Sequence, residues 1–172
     1  MTDDFGDYIL VTILPTYFKD AWKVSIQESG ILSAVPFVCL AVSTQISGRL
    51  ADYFREGYQF STVTVRKAFN TFGFLARAIF LLVVCFADDK NIAICGFTFA
   101  LTFGGFNMSG YGVNYLDIAP RYASILLGFG NTLASIPGFV APKISTALIP
   151  NGTKEEWRNV FYVSASQTLF QI

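Results

Sequence analysis

The residues of this sequence that can do chemistry are polar side chains inside long apolar runs. Arg77 lies near the middle of the run Ala68–Ala87. A charge at that depth in a membrane helix costs about 2.5–3.5 kcal/mol on insertion scales, and usually faces a cavity or a partner. Asn107, Ser109 and Asn131 lie in later runs, where an amide or hydroxyl can hydrogen-bond a carboxylate without carrying charge. The structural alternatives are an ion pair or snorkelling for Arg77, and helix–helix hydrogen bonds for the others.

Enzyme and metal chemistry are poorly supported by the composition. The chain has no histidine, and its 12 Lys and Arg balance 12 Asp and Glu. A nucleic-acid partner is not expected, because such proteins carry a basic excess. Cys39, Cys85 and Cys95 lie in apolar runs at spacings that fit neither a metal site nor a disulfide framework. We interpret them as small apolar fillers, and we expect no bound cofactor.

The elements that position these side chains are predicted to be transmembrane helices. Hydrophobic residues make up 53% of the chain and charged residues 14%, with a mean hydropathy of +0.49, whereas soluble domains carry about 25% charged residues. Apolar runs cover residues 8–18, 30–50, 68–87, 92–116, 122–149 and 160–172. A bilayer crossing needs about 20 apolar residues, so the first and last runs are expected to be truncated spans. The sequence therefore predicts an all-α, polytopic helix bundle in the lipid bilayer.

Small residues and loop composition predict the packing and orientation of these helices. Gly130, Ala134 and Gly138 recur every four residues, which favours close helix contact. Basic residues surround the loop after the second run and predict that it is cytoplasmic: Arg49, Arg55, Arg66 and Lys67. Asn151 begins the glycosylation sequon Asn-Gly-Thr and is a glycosylation candidate on the lumenal side. Trp22 and Trp157 are expected in loops on that same side, as interfacial anchors.

One segment carries the pattern of a conformational gate. The sequence Gly48-Arg49-Leu50-Ala51-Asp52-Tyr53-Phe54-Arg55, placed here in a loop, resembles the glycine, aspartate and arginine signature of the major facilitator superfamily. A carboxylate at an interface can form an ion pair that breaks during a conformational change. Gly48, Asp52 and Arg55 are therefore gating candidates, and the alternative is an ordinary solvated loop.

Longer segments resemble solute carrier family 17, which includes sialin, the vesicular glutamate transporters and the type I sodium–phosphate cotransporters. The matching stretches are residues 14–18 (LPTYF), 61–67 (STVTVRK), 114–126 (NYLDIAPRYASIL) and 156–157 (EW). The resemblance maps residues 1–172 onto the C-terminal transmembrane half, helices seven to twelve of a twelve-helix fold. Within the third stretch, Tyr115 stands where family members usually have histidine. Asp117 and Arg121 form a second gating pair, unless Asp117 instead caps the helix that begins near Arg121.

The resemblance implies ion-coupled symport of an organic or inorganic anion, such as sialic acid, glutamate or phosphate, by alternating access. The substrate site of this fold lies near the bilayer midplane between two six-helix halves. The implied partners are the lipid bilayer, a small anion, H⁺ or Na⁺ as coupling ion, and the missing N-terminal six-helix half. The implied location is a lysosomal, vesicular or plasma membrane. The alternative is a truncated membrane protein without transport activity that binds or regulates a full-length partner.

Overall fold

The structure is a computed structural model that describes residues 2–171, without the side chains of residues 2–5, 7, 13 and 26. Its helices are α1 (Thr2–Trp22), α2 (Ile26–Glu56), α3 (Thr62–Cys85), α4 (Lys90–Asn107), α5 (Asn114–Ile118), α6 (Ala123–Leu148) and α7 (Lys154–Leu169). A π turn (Met108–Gly112) joins α4 to α5, and a 3₁₀ turn (Pro120–Tyr122) precedes α6. No β-strand occurs between residues 2 and 171.

The predicted all-α membrane bundle is confirmed. Four stretches of the described chain are long and apolar enough to cross a bilayer: Gln27–Glu56, Thr62–Cys85, Lys90–Ile118 and Pro120–Leu148. They coincide with the four long apolar runs of the sequence. Helices are expected at membrane depth because each backbone amide and carbonyl must find its partner within the segment.

The boundaries predicted for the loop between the second and third apolar runs were wrong. Residues 49–56 continue α2 and α3 begins at Thr62, so the loop covers only residues 57–61. Asp52 and Arg55 therefore lie on a helix, where a loop was predicted. The end of an apolar run marks a change of polarity, whereas a helix continues until its hydrogen-bond ladder is interrupted. The start of α3 is determined by neighbouring residues, since the Ser61 hydroxyl accepts a hydrogen bond from the Thr64 amide at 3.1 Å.

The helices pack in a pattern that relates the two halves of the chain. Helix α1 packs on α6, α4 packs on α2, and α3 packs on α7. If α1 is exchanged with α4, α2 with α6, and α3 with α7, the α1–α6 pair becomes the α4–α2 pair. The α3–α7 pair is unchanged by the same exchange. This is the pattern that two three-helix repeats produce in transporter folds.

The core lies at the end of the bundle where α3 ends and α7 begins. Phe18, Phe97, Trp157 and Phe161 surround Tyr17, whose ring centroid lies 5.0–5.5 Å from each of theirs. Aromatic pairs in tilted or edge-to-face contact add to the stability that burial gives.

The prediction that Trp157 is an interfacial anchor in a loop was wrong. Trp157 is 1% exposed and lies in the first turn of α7. A capping box of Thr153 and Glu156 starts α7 just before it, which turns the indole toward α1. Trp22 ends α1, and its ring lies 3.8 Å from the Lys154 ammonium.

Candidate functional site

Arg77 is buried and borders a cavity between the helices. Its side chain is 2% exposed and borders an opening of about 260 Å³, which we call the Arg77 cavity. The other lining residues come from α1, α2, α4 and the π turn: Val11, Phe37, Leu40, Thr44, Leu101, Gly104, Met108 and Tyr111. A Cβ atom at Gly104 would lie 3.7 Å from Arg77 Nη1. The guanidinium therefore lies directly against the α4 backbone.

The chemistry of the Arg77 cavity suits a small anion. Apolar side chains dominate its walls, and Arg77 is the charged side chain among the described lining residues. A guanidinium binds a carboxylate or phosphate through two parallel hydrogen bonds. Such a contact is stronger in apolar surroundings than in water, because the effective dielectric constant is lower. Arg77 thus borders a cavity in the structure, and its contact with a substrate stays a prediction.

An ion pair joins α3 to α5. Arg66 Nε lies 3.0 Å from Asp117 Oδ2, and the two side chains are 13% and 27% exposed. Arg66 also donates from Nη1 to the Ser109 carbonyl at 2.6 Å. The predicted partner of Asp117 was Arg121, which instead lies exposed in the 3₁₀ turn. Asp117 does not cap α6 either, since the capping residue of α6 is Tyr122, without a side-chain bond.

The Arg66–Asp117 pair borders a larger cavity of about 610 Å³, which we call the Arg66 cavity. Its polar lining residues are Thr62, Arg66, Lys67, Asn70, Asn114 and Asp117. Tyr111 borders this cavity and the Arg77 cavity. The π turn that carries Tyr111 is therefore part of the wall between the two cavities.

Ser109 and Asn107, both predicted to line a substrate pathway, lie at helix contacts. Ser109 is 5% exposed, and its hydroxyl oxygen lies 2.8 Å from that of Ser47 on α2. Gly48 is adjacent, since a Cβ at this position would lie 4.0 Å from Ser109 Oγ. Asn107 is 2% exposed against Gly73 of α3, where any Cβ would collide with its amide oxygen. Among the described residues, the Asn107 side chain has no hydrogen-bond partner.

Asn131 and the Asp52–Arg55 pair lie apart from the two cavities. Asn131 is exposed on α6 and is absent from the described lining of either cavity. Asp52 and Arg55 lie 3.7 Å apart on neighbouring turns of α2, with Asp52 64% exposed. An exposed pair within one helix contributes little, and it joins no second element. The substrate role of Asn131 and the gating role of Gly48, Asp52 and Arg55 stay predictions.

The glycosylation candidate lies at the other end of α3 from Arg66. Asn151 donates from its side-chain amide to Glu156 Oε1 at 2.9 Å. Hydrogen bonds from Asn151, and then from Thr153, hold the pKa of the Glu156 carboxyl below its usual range. Arg158 Nε binds the Cys85 carbonyl at 2.8 Å, which ties the start of α7 to the end of α3. Asn151 and the basic residues near Arg66 are thus separated by the length of α3, as the predicted orientation requires.

Sequence reasoning missed Ser47 and the pairing role of Arg66. In the sequence, Arg66 is distinguished only as one of several basic residues near a loop. Its partner Asp117 is 51 residues away, and no spacing rule connects two residues at that distance. A signal for Ser47 exists in the small polar residues Ser43, Thr44 and Ser47 on α2, because such residues mark close helix contacts in membranes.

Comparisons with known proteins identify relatives of this chain. The model of the Major Facilitator Superfamily matches residues 1–170. Human sialin is 43% identical over 164 residues, which are 95% of this chain and 33% of sialin. Sheep sialin is 44% identical over the same length. The zebrafish (Danio rerio) vesicular glutamate transporter 2.2 is 43% identical over 158 residues, 92% of this chain and 27% of that protein. The chain spans about a third of the length of the curated relatives it matches.

Proposed function

Because this chain belongs to the major facilitator superfamily, we propose that it supplies one six-helix half of a transporter that moves a small anion by alternating access. The observation that carries the proposal is the Arg77 cavity, where a buried guanidinium borders about 260 Å³ of mainly apolar space. A buried charge inside a membrane helix is a functional-site hypothesis by default, because it is costly to keep there. The matched relatives support the anion class, since one is named for glutamate.

The exposed surface of α6 supports the role of a second half. Asn131, Thr132 and Ser135 are exposed on this helix, although it is apolar and long enough to span a bilayer. The Thr132 and Ser135 hydroxyls bond carbonyls one turn earlier in α6, whereas an exposed amide such as that of Asn131 is costly in hydrocarbon and favours a protein partner or a water-filled cavity. An N-terminal six-helix half packed against this surface would complete the transport pathway. Asn131 would then line the pathway from the α6 side.

The Arg66–Asp117 pair supplies a gate for this pathway. It holds α3 to α5 next to the wall that Tyr111 forms between the two cavities. Breaking the pair would let α5 move away from α3 and connect the Arg77 cavity to the Arg66 cavity. Ion pairs that form in one state and break in another are a common device of such transitions.

Ion coupling and location belong to the same proposal and rest on the family resemblance. We propose symport driven by H⁺ or Na⁺ in a lysosomal, vesicular or plasma membrane. Uptake under an imposed pH gradient without sodium, compared with a sodium gradient at constant pH, distinguishes the two ions.

The test uses the whole gene product that carries this sequence, reconstituted in liposomes. Uptake of labelled glutamate, sialic acid and phosphate is measured for the wild type, Arg77→Gln, Arg77→Lys and the control Lys19→Gln, which removes an exposed charge on α1. We expect Arg77→Gln to lose at least about tenfold in uptake, because a charge-assisted bidentate contact contributes more than an ordinary hydrogen bond. Arg77→Lys should retain part of the activity, and Lys19→Gln should resemble the wild type.

Two outcomes would contradict the proposal. Full uptake by Arg77→Gln would exclude Arg77 as the anion-binding group. If the wild type moved none of the three anions under either gradient, the transporter assignment would fail. The chain would then be better described as a membrane protein that binds or regulates a partner.

A further inference from the structure

We infer that Ser47 of α2 is a positioning residue for the Arg77 cavity. Through its hydroxyl contact with Ser109, it holds the π turn that places Met108 and Tyr111 in the cavity wall. The inference rests on the proposed function, because that function identifies the cavity as an anion site. Ser47 itself does not border the cavity, so its effect on the anion must pass through the π turn.

The π turn depends on side chains from neighbouring helices. A π turn widens the helix by one residue, which shifts the hydrogen-bond ladder and leaves nearby carbonyl groups without their usual donors. The Ser47 hydroxyl lies 3.1 Å from the Gly105 carbonyl, one turn before the π turn. Arg66 Nη1 donates to the Ser109 carbonyl, within the turn, at 2.6 Å. Two side chains from α2 and α3 thus satisfy carbonyl groups on either side of the position where the ladder changes.

The proton count limits the hydrogen bonds that the two serines can form. Ser47 has one hydroxyl proton, and the carbonyl oxygens of Gly105 and Thr44, at 3.1 and 3.0 Å, can only accept it. When Ser47 donates to either carbonyl, Ser109 donates its own proton to Ser47 across the 2.8 Å contact. The result is a chain of donors from the π turn through Ser47 to the backbone of α4 or α2.

The surroundings of Ser47 allow little substitution for this hydroxyl. Ser47 is fully buried, and α2 and α4 approach so closely that a Cβ at Gly105 would collide with the Ser43 hydroxyl. Removing the Ser47 hydroxyl would leave the Ser109 donor and the Gly105 acceptor without this partner in the interior, which is costly. Reversion of the π turn toward a regular helix would be the response, and it would rotate Tyr111 relative to Arg77.

Arg66 connects the π turn to the gate. The same guanidinium binds Asp117 through Nε and the Ser109 carbonyl through Nη1. Opening of the gate therefore frees Arg66 from Asp117, while Arg66 Nη1 keeps the Ser109 carbonyl. Ser47 is the second side chain that holds the π turn, so both contacts set how far the cavity wall changes when the gate opens.

The experiment measures amide hydrogen exchange across residues 105–113 in the whole gene product, together with the KM for anion uptake. The variants are Ser47→Ala, Ser109→Ala and their combination. The control is Ser33→Ala on the same helix, which is also buried but whose hydroxyl, among the described residues, bonds the Ser29 carbonyl of its own helix. We expect each single variant to raise exchange in this segment and KM by about 2- to 10-fold, the effect of losing one hydrogen bond.

The double variant should add nothing to Ser47→Ala, because Ser47→Ala already removes the contact with Ser109. Ser33→Ala should leave exchange across residues 105–113 and KM unchanged. Unchanged exchange in Ser47→Ala and Ser109→Ala, equal effects of Ser33→Ala, or raised exchange with an unaltered KM would each overturn the inference. If Ser47→Ala does not fold, Ser109→Ala tests the same contact from the other side. A wild type that transports none of the anions refutes the proposed function, and the exchange data then decide the role of Ser47 in the π turn separately.

Discussion

Neutralising Asp117 is expected to open the pathway on the Arg66 side. In Asp117→Asn, Arg66 loses its charged partner at 3.0 Å but keeps the Ser109 carbonyl. At an effective dielectric constant of about 20, the gross attraction is about 5 kcal/mol, most of which desolvation and side-chain ordering offset. Exposed pairs contribute about 0–1 kcal/mol, and loss of one partner of a buried pair costs about 3–5 kcal/mol.

The exposures of 13% and 27% place this pair between those limits. We therefore expect the closed state to lose about 1–2 kcal/mol, a factor of about 5–30 in the open-to-closed ratio. The control is Glu155→Gln, which removes an exposed carboxylate in the first turn of α7. Its effect should stay below about twofold.

The assay follows access to the Arg77 cavity with a maleimide reagent. A single cysteine replaces Thr44, which lines the cavity, after Cys39, Cys85 and Cys95 have been changed to alanine. Labelling in detergent should be about 5–30 times faster in Asp117→Asn than in the parent, in proportion to the open population. The charge exchange Arg66→Asp with Asp117→Arg should slow it again only in part, because aspartate cannot donate to the Ser109 carbonyl. Labelling of Asp117→Asn at the parent rate, or equally fast labelling in Glu155→Gln, would refute the gate.

Two further predictions concern helix ends and helix contacts. Because hydrogen bonds from Asn151 and Thr153 lower the pKa of Glu156 in the folded state, the capping contact is fully formed above the ordinary carboxyl pKa and is lost as pH falls through the lowered value. Trp157 fluorescence should report this loss at a pH below the ordinary glutamate pKa of about 4.3. A transition that persists unchanged in Glu156→Gln would count against this assignment. Gly105→Ala should destabilise the protein by about 1–3 kcal/mol through overpacking against Ser43. Gly128→Ala, with nothing within 4 Å of the added Cβ, should keep or raise the thermal midpoint, because alanine favours a helix over glycine by up to about 1 kcal/mol. Equal midpoints for the two variants would show that α2 and α4 can separate at little cost.

The sequence alone determined the class of fold and the family. Four long apolar runs became four helices able to span a bilayer, because hydrocarbon leaves the backbone no other way to satisfy its polar groups. The resemblance to solute carrier family 17 is confirmed by the sialin and vesicular glutamate transporter relatives. Some helix starts were also local, such as Thr153 with Glu156 at α7. These features need only residues that are close in the chain.

The end of α2 and the start of α3 could not be predicted in the same way. Hydropathy falls at Arg49, yet α2 continues to Glu56, because a solvated turn can keep its ladder as well as a buried one. The burial of Trp157 could not be predicted for a related reason. Its polar neighbours in sequence suggested an interface, while its packing partners Tyr17 and Phe161 belong to α1 and α7.

Only the tertiary structure decided the candidate site. Asp117 pairs with Arg66, and Ser109 contacts Ser47, across 51 and 62 residues of sequence. Arg77 was recognisable as a costly charge, but its cavity needs side chains from four helices and the π turn. Hydrophobic periodicity is set by the solvent around each helix, whereas an ion pair or a cavity is set by how the helices pack against each other. The sequence therefore determined that buried polar groups exist here, and helix packing decided which of them meet.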